Sequence, residues 1–535
     1  MSKSHSPSLV RSFVARALLA VPVVAALSAC GESKPVGAIG YVKGFGGMAV
    51  ADDPRAALAA RDILSAGGTA ADAAVSMYFT MAVTQPATAS LGGGGACMIF
   101  SKDRKKVEAL DFIAPPSASS GQIPTAVPAN VRGFYALHAK YGKFRWEQLL
   151  NDPERLARTG VPVSRALAAD LVRAGQMIGN DPAMRRIFVS GGQILTEGQT
   201  LTQTDLATTL SWIRRAPGDL YVGAHAREVA EGASRAGGSL SLDDLRDMRP
   251  AFRDALTVVI GEDTAFFAPP PATGSASAAQ ITAELAGRWK NAEAEERPHL
   301  LLEASARSMA DRSRWMLPNG WDKTGNSAAL SGKTEAEALM KDYSPSQHVP
   351  VTAGKSNDAI PAATFAALDS YGNAVACGVT TYGLFGVGRM IPNTGIILAG
   401  SPGTSAGPAA VSPILVANTN AVEFRLALTA SGGVTAGSSA ANVLLATLVE
   451  NKSLDAAIAA PRIHHSGQPD LAFTESGDRI FDPAPLVKRG HEVKPVALPS
   501  RVNGMLCRSG TANFNTCSVV TDPRGFGLAQ MVGRD

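Results

Sequence analysis

The stretch "PAATFAALDSYGNAVAC", residues 361–377, reads as a β-hairpin. Thr364–Leu368 and Ala374–Cys377 are apolar runs, and Asp369-Ser370-Tyr371-Gly372-Asn373 between them has turn chemistry. The first strand carries a single hydroxyl, on Thr364. That group is a nucleophile, an ordinary strand residue, or the remnant of a lost site, and the functional reading turns on which.

Outward from the hairpin, the chain after Pro361 reads as short strands with Gly-rich turns, broken by one helix at 438–450. The half before it is rich in helices. In "ADDPRAALAARDILSAGG", Asp53 suits an N-cap, Pro54 the first helical position, and Gly67-Gly68 a stop. The next segment is apolar almost all round from Ala70 to Val83, which predicts a buried helix. Residues 125–260 read as mostly helical, with more helices to about Met340, and strands are expected near 47–52, 96–101 and 107–112. This pattern suits an α+β fold with helices on both faces of antiparallel sheets.

The chain has 535 residues, 45% hydrophobic and 18% charged, which is globular composition. Its formal charge of +4 comes largely from Lys3, Arg11 and Arg16; the remainder holds 47 Lys and Arg against 46 acidic residues. That balance leaves no footprint for nucleic acid and suits a small-molecule substrate.

Those three cations precede "ALLAVPVVAAL", too short to span a bilayer, and then "LSAC" ending at Cys30. The segment resembles a bacterial lipoprotein signal over residues 1–29. The resemblance implies cleavage before Cys30, lipidation of Cys30, and a periplasmic protein held to the membrane by that anchor alone. Gly31, where an Asp would mark the inner membrane, favours the outer one. An ordinary secretory signal with an incidental Cys is the alternative. Of the other four cysteines, Cys507 and Cys517 flank "RSGTANFNT", and a cross-strand disulfide or two buried thiols both fit. No spacing suits a metal.

Four glycines, Gly92–Gly95, follow the second helix; their NH groups could cradle an anion, or the run could be a tight turn. In order with "ARDILSAGGTAADAAV", "VPANVRGFYALHAKYG", "FAPPPATGS", "DSYGNAVA", "FGVGRMIPNTGIIL", "SGG" (431–433) and "PRIHH" (461–465), they resemble the γ-glutamyltransferases (glutathione hydrolases). That family belongs to the N-terminal-nucleophile hydrolases. The resemblance runs from Gly47 to the C-terminus. It implies a four-layer αββα sandwich and no cofactor. It also implies a precursor cut into large (30–361) and small (362–535) subunits that stay together as one intertwined domain.

In such enzymes a Thr becomes the small subunit's first residue, and its freed α-amine, with a pKa of about 8, acts as base for its own hydroxyl. His464 and His465 are then structural. The nucleophile lies ten residues before the turn Gly, which in this chain is Ala362; Ala363 follows, and Thr364 comes next. Thr364 is the candidate nucleophile only if about 6.6 Å of displacement along the strand is absorbed. Gly432 and Gly433 correspond to the oxyanion hole. Ile113 stands where an Arg would hold the glutamyl carboxylate, and Tyr382 where an Asn is expected. Ser401 and Thr404 replace an amide and an Asp, and Ala409-Ala410 a serine pair. Substrate-binding residues are therefore not assigned. Two functions stand open: an enzyme hydrolysing or transferring an amide-linked acyl group through an acyl-enzyme on Thr364, or a catalytically degenerate relative that binds.

Overall fold

In the computed structural model, which describes residues 1–2, 46–358, 361–479 and 481–532, the hairpin pairs Ala363–Asp369 with Ala374–Thr380 in antiparallel register. Gly372 closes the turn at φ +89°, where a Cβ would be strained. Asp369 Oδ1 accepts the backbone NH groups of Tyr371 and Asn373, both at 2.9 Å. Its Oδ2 accepts the NH of Ala70, also at 2.9 Å, at the start of the next-door helix. Residues 3–45, which hold the expected acylation site Cys30, lie outside the described residues.

The layers are built from a few elements. In the first half these are β1 (Gly47–Ala51), α1 (Pro54–Ser65), α2 (Ala70–Thr84), β2 (Gly94–Ser101), β3 (Lys106–Phe112), β4 (Ala251–Arg253), β5 (Leu256–Ile260), β6 (Asp263–Phe267), α3 (Thr273–Ala286) and α4 (Arg297–Trp315). The second half adds β7 (Ala363–Asp369), β8 (Ala374–Thr380), β9 (Ser412–Asn418), β10 (Glu423–Ser431), α5 (Thr435–Leu448) and α6 (Leu454–Ala459). Last come β11 (Ile463–His465), β12 (Ala472–Glu475), β13 (Val493–Val496), β14 (Arg501–Cys507), β15 (Cys517–Val520) and β16 (Leu528–Val532).

One sheet runs β16-β1-β7-β8-β2-β3-β4 and a second runs β15-β14-β10-β9-β6-β5; every pairing in both is antiparallel. The two sheets face each other, with α1 and α2 on the outside of the first and α3 and α5 on the outside of the second. This is the αββα sandwich. Both halves of the chain interleave in each sheet, so neither half has a complete sheet of its own. A small third sheet, β11-β12-β13, adjoins α4.

Local signals explain the helices. Asp53 caps α1 by accepting from Arg55 and Ala56, and Thr69 with Asp72 forms a capping box on α2. All of α2 is buried, as its apolar circumference predicts. Three features differ from the sequence reading. The strands β4 and β5 occupy the end of the region 125–260, which reads as mostly helical. The helix expected at 438–450 begins three residues earlier, at Thr435, one residue after Gly432-Gly433. A second helix, α6, is only six residues long, too short to show a period.

All four cysteines outside the N-terminal segment are bridged. Cys507–Cys517 joins β14 to β15, settling the alternative left open by the sequence. Cys97–Cys377 joins β2 to β8 at directly paired positions 280 residues apart, which no local spacing signals. The chain-entropy account assigns more stabilisation to the longer closed loop. Replacing both Cys97 and Cys377 by Ala should lower the unfolding free energy by about 2–5 kcal/mol, and more than replacing Cys507 and Cys517. Urea denaturation of the two double variants checks the order.

Candidate active site

Thr364 is wholly buried in β7 and points into the space between the sheets. Its hydroxyl donates to Asp52 Oδ2 at 3.1 Å, and its backbone NH donates to the same oxygen at 2.8 Å. Asn503 of β14, in the opposite sheet, donates to Thr364 Oγ1 at 3.1 Å and to Asp52 Oδ1 at 2.9 Å. The Asn503 side-chain oxygen in turn accepts from Asp522 N and Thr521 Oγ1. The hydroxyl is therefore used in both directions, as donor and as acceptor, in a network that ties β1, β7 and β14 together.

Ala362 sits one residue before β7 and is also buried. The carbonyl that precedes it, Pro361 O, accepts the Thr380 hydroxyl at 2.6 Å. Its own carbonyl accepts from Arg501 Nη2 at 3.4 Å. Arg501 pairs with Ser431 in the β10–β14 ladder, whereas Asn503 pairs with Thr429. Ala362 is thus level with the end of β10 that leads into Gly432-Gly433, and Thr364 lies two residues further into the sheets. Gly432 (φ +124°) and Gly433 (φ +62°) lie beyond the ladder and one residue before α5. A Cβ on Gly432 would meet Ser500 Cα at 2.5 Å, so the glycine is required by this close approach.

Of the residues the resemblance singles out, Ile113 and Tyr382 are both buried. Ile113 is 4% exposed. Tyr382 is buried at φ +61° and donates its hydroxyl to Ala114 O at 2.8 Å, beside Ile113. Burial pushes the Tyr382 hydroxyl far above the usual tyrosine range, so it stays a neutral donor. A cavity of about 570 Å³ adjoins Ile113, lined by Asp111, Asp243, Asp244 and Asp247 with Arg249 as its only basic side chain. Burial raises the Asp111 carboxyl, partly offset by the Ile113 NH and Arg253. Arg253 pairs with Asp111, and Arg246 with Asp243 and Asp247, so most of these acids are already neutralised. Thr404 and Ser401 bond to each other through Ser401 O, and Ala409 O accepts Thr273 N.

The segment ahead of Ala362 is docked by an ion pair. Arg312 of α4 donates through Nη1 to both oxygens of Asp358 at 2.8 Å, and both side chains are nearly fully buried. Ser356 donates to the same carboxylate, and Ser277 holds the guanidinium. No sequence signal singles out this pair, nor the Asp52–Asn503 pair, because each joins residues distant in the chain.

The remaining sequence candidates are structural. His464 Nδ1 faces Ser438 Oγ at 2.9 Å, and burial lowers its pKa to about 3. His465 is lowered to about 4, again by burial first. Both are neutral near pH 7, and neither touches Ala362 or Thr364. The glycine run packs backbone on backbone: a Cβ on Gly93 would meet Thr380 O at 2.3 Å, and one on Gly95 would meet Gly378 O at 2.3 Å.

A family model described as gamma-glutamyltranspeptidase matches residues 56–401 and 408–532. Glutathione hydrolase 3 of Arabidopsis thaliana is 27% identical over 510 residues, covering 85% of this chain and 80% of that protein. The glutathione hydrolase proenzyme of Escherichia coli is 26% identical over 487 residues, covering 81% and 83%. Among solved structures, cephalosporin acylase from Bacillus halodurans superposes with a TM-score of 0.79 at 20% identity, over 94% of this chain and 98% of that one. The gamma-glutamyltranspeptidase of Helicobacter pylori gives 0.52 at 25% identity, over 56% and 91%.

Thr364→Val keeps the shape of the side chain and removes its hydroxyl, leaving Asn503 without that acceptor in a buried setting. Unfolding free energy should fall by about 1–3 kcal/mol, and by less in Thr364→Ser. Denaturant titration reads this directly. Unchanged stability in Thr364→Val would mean the hydroxyl is held for something other than the fold.

Proposed function

The chain belongs to the gamma-glutamyltranspeptidase family, whose reaction class is amide hydrolysis or transfer, and we propose that this member stays uncut and binds without turnover. One observation carries the reading. The Pro361 carbonyl is held by Thr380 Oγ1 at 2.6 Å, as a bond awaiting attack would be, yet the next residue offers only a methyl group. Self-cleavage needs a hydroxyl on the residue after that carbonyl, and the α-amine it frees is the base for later steps. The nearest hydroxyl in the strand, Thr364, is fully buried and already bonded on both sides. Segments 30–361 and 362–535 then remain one chain.

The ligand is a small amide or peptide without a free glutamyl carboxylate, since Ile113 stands where the carboxylate clamp is expected. An apolar side chain cannot replace a charge-assisted pair to a carboxylate. The basic start of the chain and "LSAC" support export and anchoring at Cys30, with the outer membrane favoured. Two disulfides fit an oxidising compartment.

A second reading rests on Asp52, whose one oxygen meets both the NH and the hydroxyl of Thr364. If the chain were cut before Thr364, that carboxylate would orient the new amine and hydroxyl together, and Thr364 would be the nucleophile with Gly432 and Gly433 as oxyanion donors.

Mass spectrometry of the mature protein separates the two readings. The proposal expects an intact chain, while a new N-terminus at Thr364 establishes the second reading. Ala362→Thr should gain cleavage between residues 361 and 362; if it stays uncut, the claim that the surrounding geometry persists is wrong. Glutamate release from glutathione with kcat on the order of 1–10³ s⁻¹ by the wild type would overturn the proposal. Labelled palmitate should enter the wild type and not Cys30→Ser, and equal labelling would end the anchoring claim.

A further inference from the structure

Four of the eight histidines gather in one buried cluster away from Ala362. His299 and Glu303 lie on α4, His348 in the segment that follows it, His465 at the end of β11, and His491 just before β13. We propose that His299, His348, His491 and Glu303 form a closed four-ligand site for a divalent transition-metal ion, zinc by its donor set.

The candidate ligand atoms converge in two overlapping groups that share His491. His299 Nδ1 lies 2.7 Å from His491 Nε2, His348 Nδ1 lies 2.6 Å from Glu303 Oε1, and His491 Nε2 lies 3.8 Å from that same oxygen. The ligand atoms of His299, Glu303 and His491 are all within 4.8 Å of one another. With metal–ligand bonds of 2.0–2.1 Å, a tetrahedral zinc site has edges of about 3.3 Å, so these three separations change by about 0.5–0.7 Å, and His348, which groups with His465 and His491 rather than with His299, turns inward to complete the site.

Each ligand but one is oriented from behind. His299 Nε2 donates to Ser344 O at 2.8 Å, His348 Nε2 donates to Asp470 Oδ1 at 3.1 Å, and Arg307 holds Glu303 Oε2 at 2.6 Å. These contacts place a proton on the outer nitrogen of His299 and of His348 and leave the Nδ1 atoms facing inward. A carboxylate or carbonyl behind the imidazole is the usual support of a metal-ligating histidine. His491 Nδ1 has no partner. The same reasoning excludes His465: its Nδ1 accepts the Gly467 NH, so its Nε2 carries the proton directed at Asp470.

Without an ion, His348 Nδ1 must hold a proton for Glu303, and His491 Nε2 one for His299. The ion takes both places. The His348 proton is released to solvent, and His491 exchanges its Nε2 proton for one on Nδ1. Three imidazoles and one carboxylate in a dry, closed site select zinc over magnesium or calcium, which need more oxygen ligands. Access is from the side of Asp470, whose side chain is 43% exposed. A bound ion would join α4 to the small sheet and to the segment that leads towards Asp358. This is independent of whether the chain is cut.

The test uses tag-free protein stripped with a chelator, then loaded with Zn²⁺ or Co²⁺ and dialysed. One equivalent of zinc should remain, Co²⁺ should give the intense visible bands of a four-coordinate site, and the unfolding temperature should rise. His348→Gln, at the edge of the cluster, and His491→Asn should each lose the retained metal, while His225→Gln keeps it. Asp470→Asn should weaken binding about tenfold to a hundredfold. Should His491→Asn fail to fold, His348→Gln decides alone. No retained metal in the wild type, weak six-coordinate Co²⁺ bands, or full retention in His348→Gln would each overturn the proposal.

Discussion

Asp369 directs one carboxylate oxygen at the NH groups of its own turn and the other at the first NH of α2, all from a buried position. Burial raises its carboxyl, against the pull of those donors. The consequence is a register that cannot drift. Strand side chains alternate faces, so a slip of one residue in β7 would turn Phe365, stacked near Phe134, into the space between the sheets and expel Thr364 from it. A slip of two would keep the faces but break Asp369 from both of its partners. Because β7 lies between β1 and β8 inside its sheet, its register sets theirs. The place of Ala362 at the strand's start, level with Arg501 and Ser431, follows from a turn seven residues away.

Much of this was legible because it is local. The turn residues 369–373, the cap Asp53, the buried circumference of α2 and the hairpin itself each declare themselves within a dozen residues. The two-residue offset of Thr364 from Ala362 could also be read by counting back from Gly372. What could not be read is what Thr364 touches. Asp52 and Asn503 lie 312 and 139 residues from it. Cys97 and Cys377 are in register only because β2 and β8 pair across a 280-residue separation. The histidine cluster likewise draws on four segments, each with a spacing that means nothing by itself.

Backbone and side-chain positions of the candidate site are constrained in different ways. A Cβ on Gly93, Gly95 or Gly432 would meet neighbouring main chain at 2.3–2.5 Å, so these glycines are held by the fold whatever the chemistry. Ile113, Tyr382 and Ala362 have no such constraint and pack as core. Tyr382 shows the trade most clearly. It accepts a positive φ, which is unfavourable for a bulky residue, and in return fills the volume beside Ile113 and satisfies Ala114 O. A polar clamp there without a ligand would leave buried donors unpaired, at a cost of about 1–3 kcal/mol each.

The same reasoning bears on Thr364. A nucleophile must be able to give up its proton and approach a carbonyl without taking anything else apart. Thr364 does the opposite work: its NH and hydroxyl supply two of the donors to Asp52, and Asn503 supplies a third. Asp52 is 5% exposed and sits where β1 leaves the sheet to start α1. Withdrawing the Thr364 donors would leave a buried carboxylate short of partners at the seam between the two sheets. Moving Thr364 towards the position of Ala362 would require β7 to slip against Asp369 at its far end. Both ends of the strand therefore oppose the displacement that would bring Thr364 to the position of Ala362.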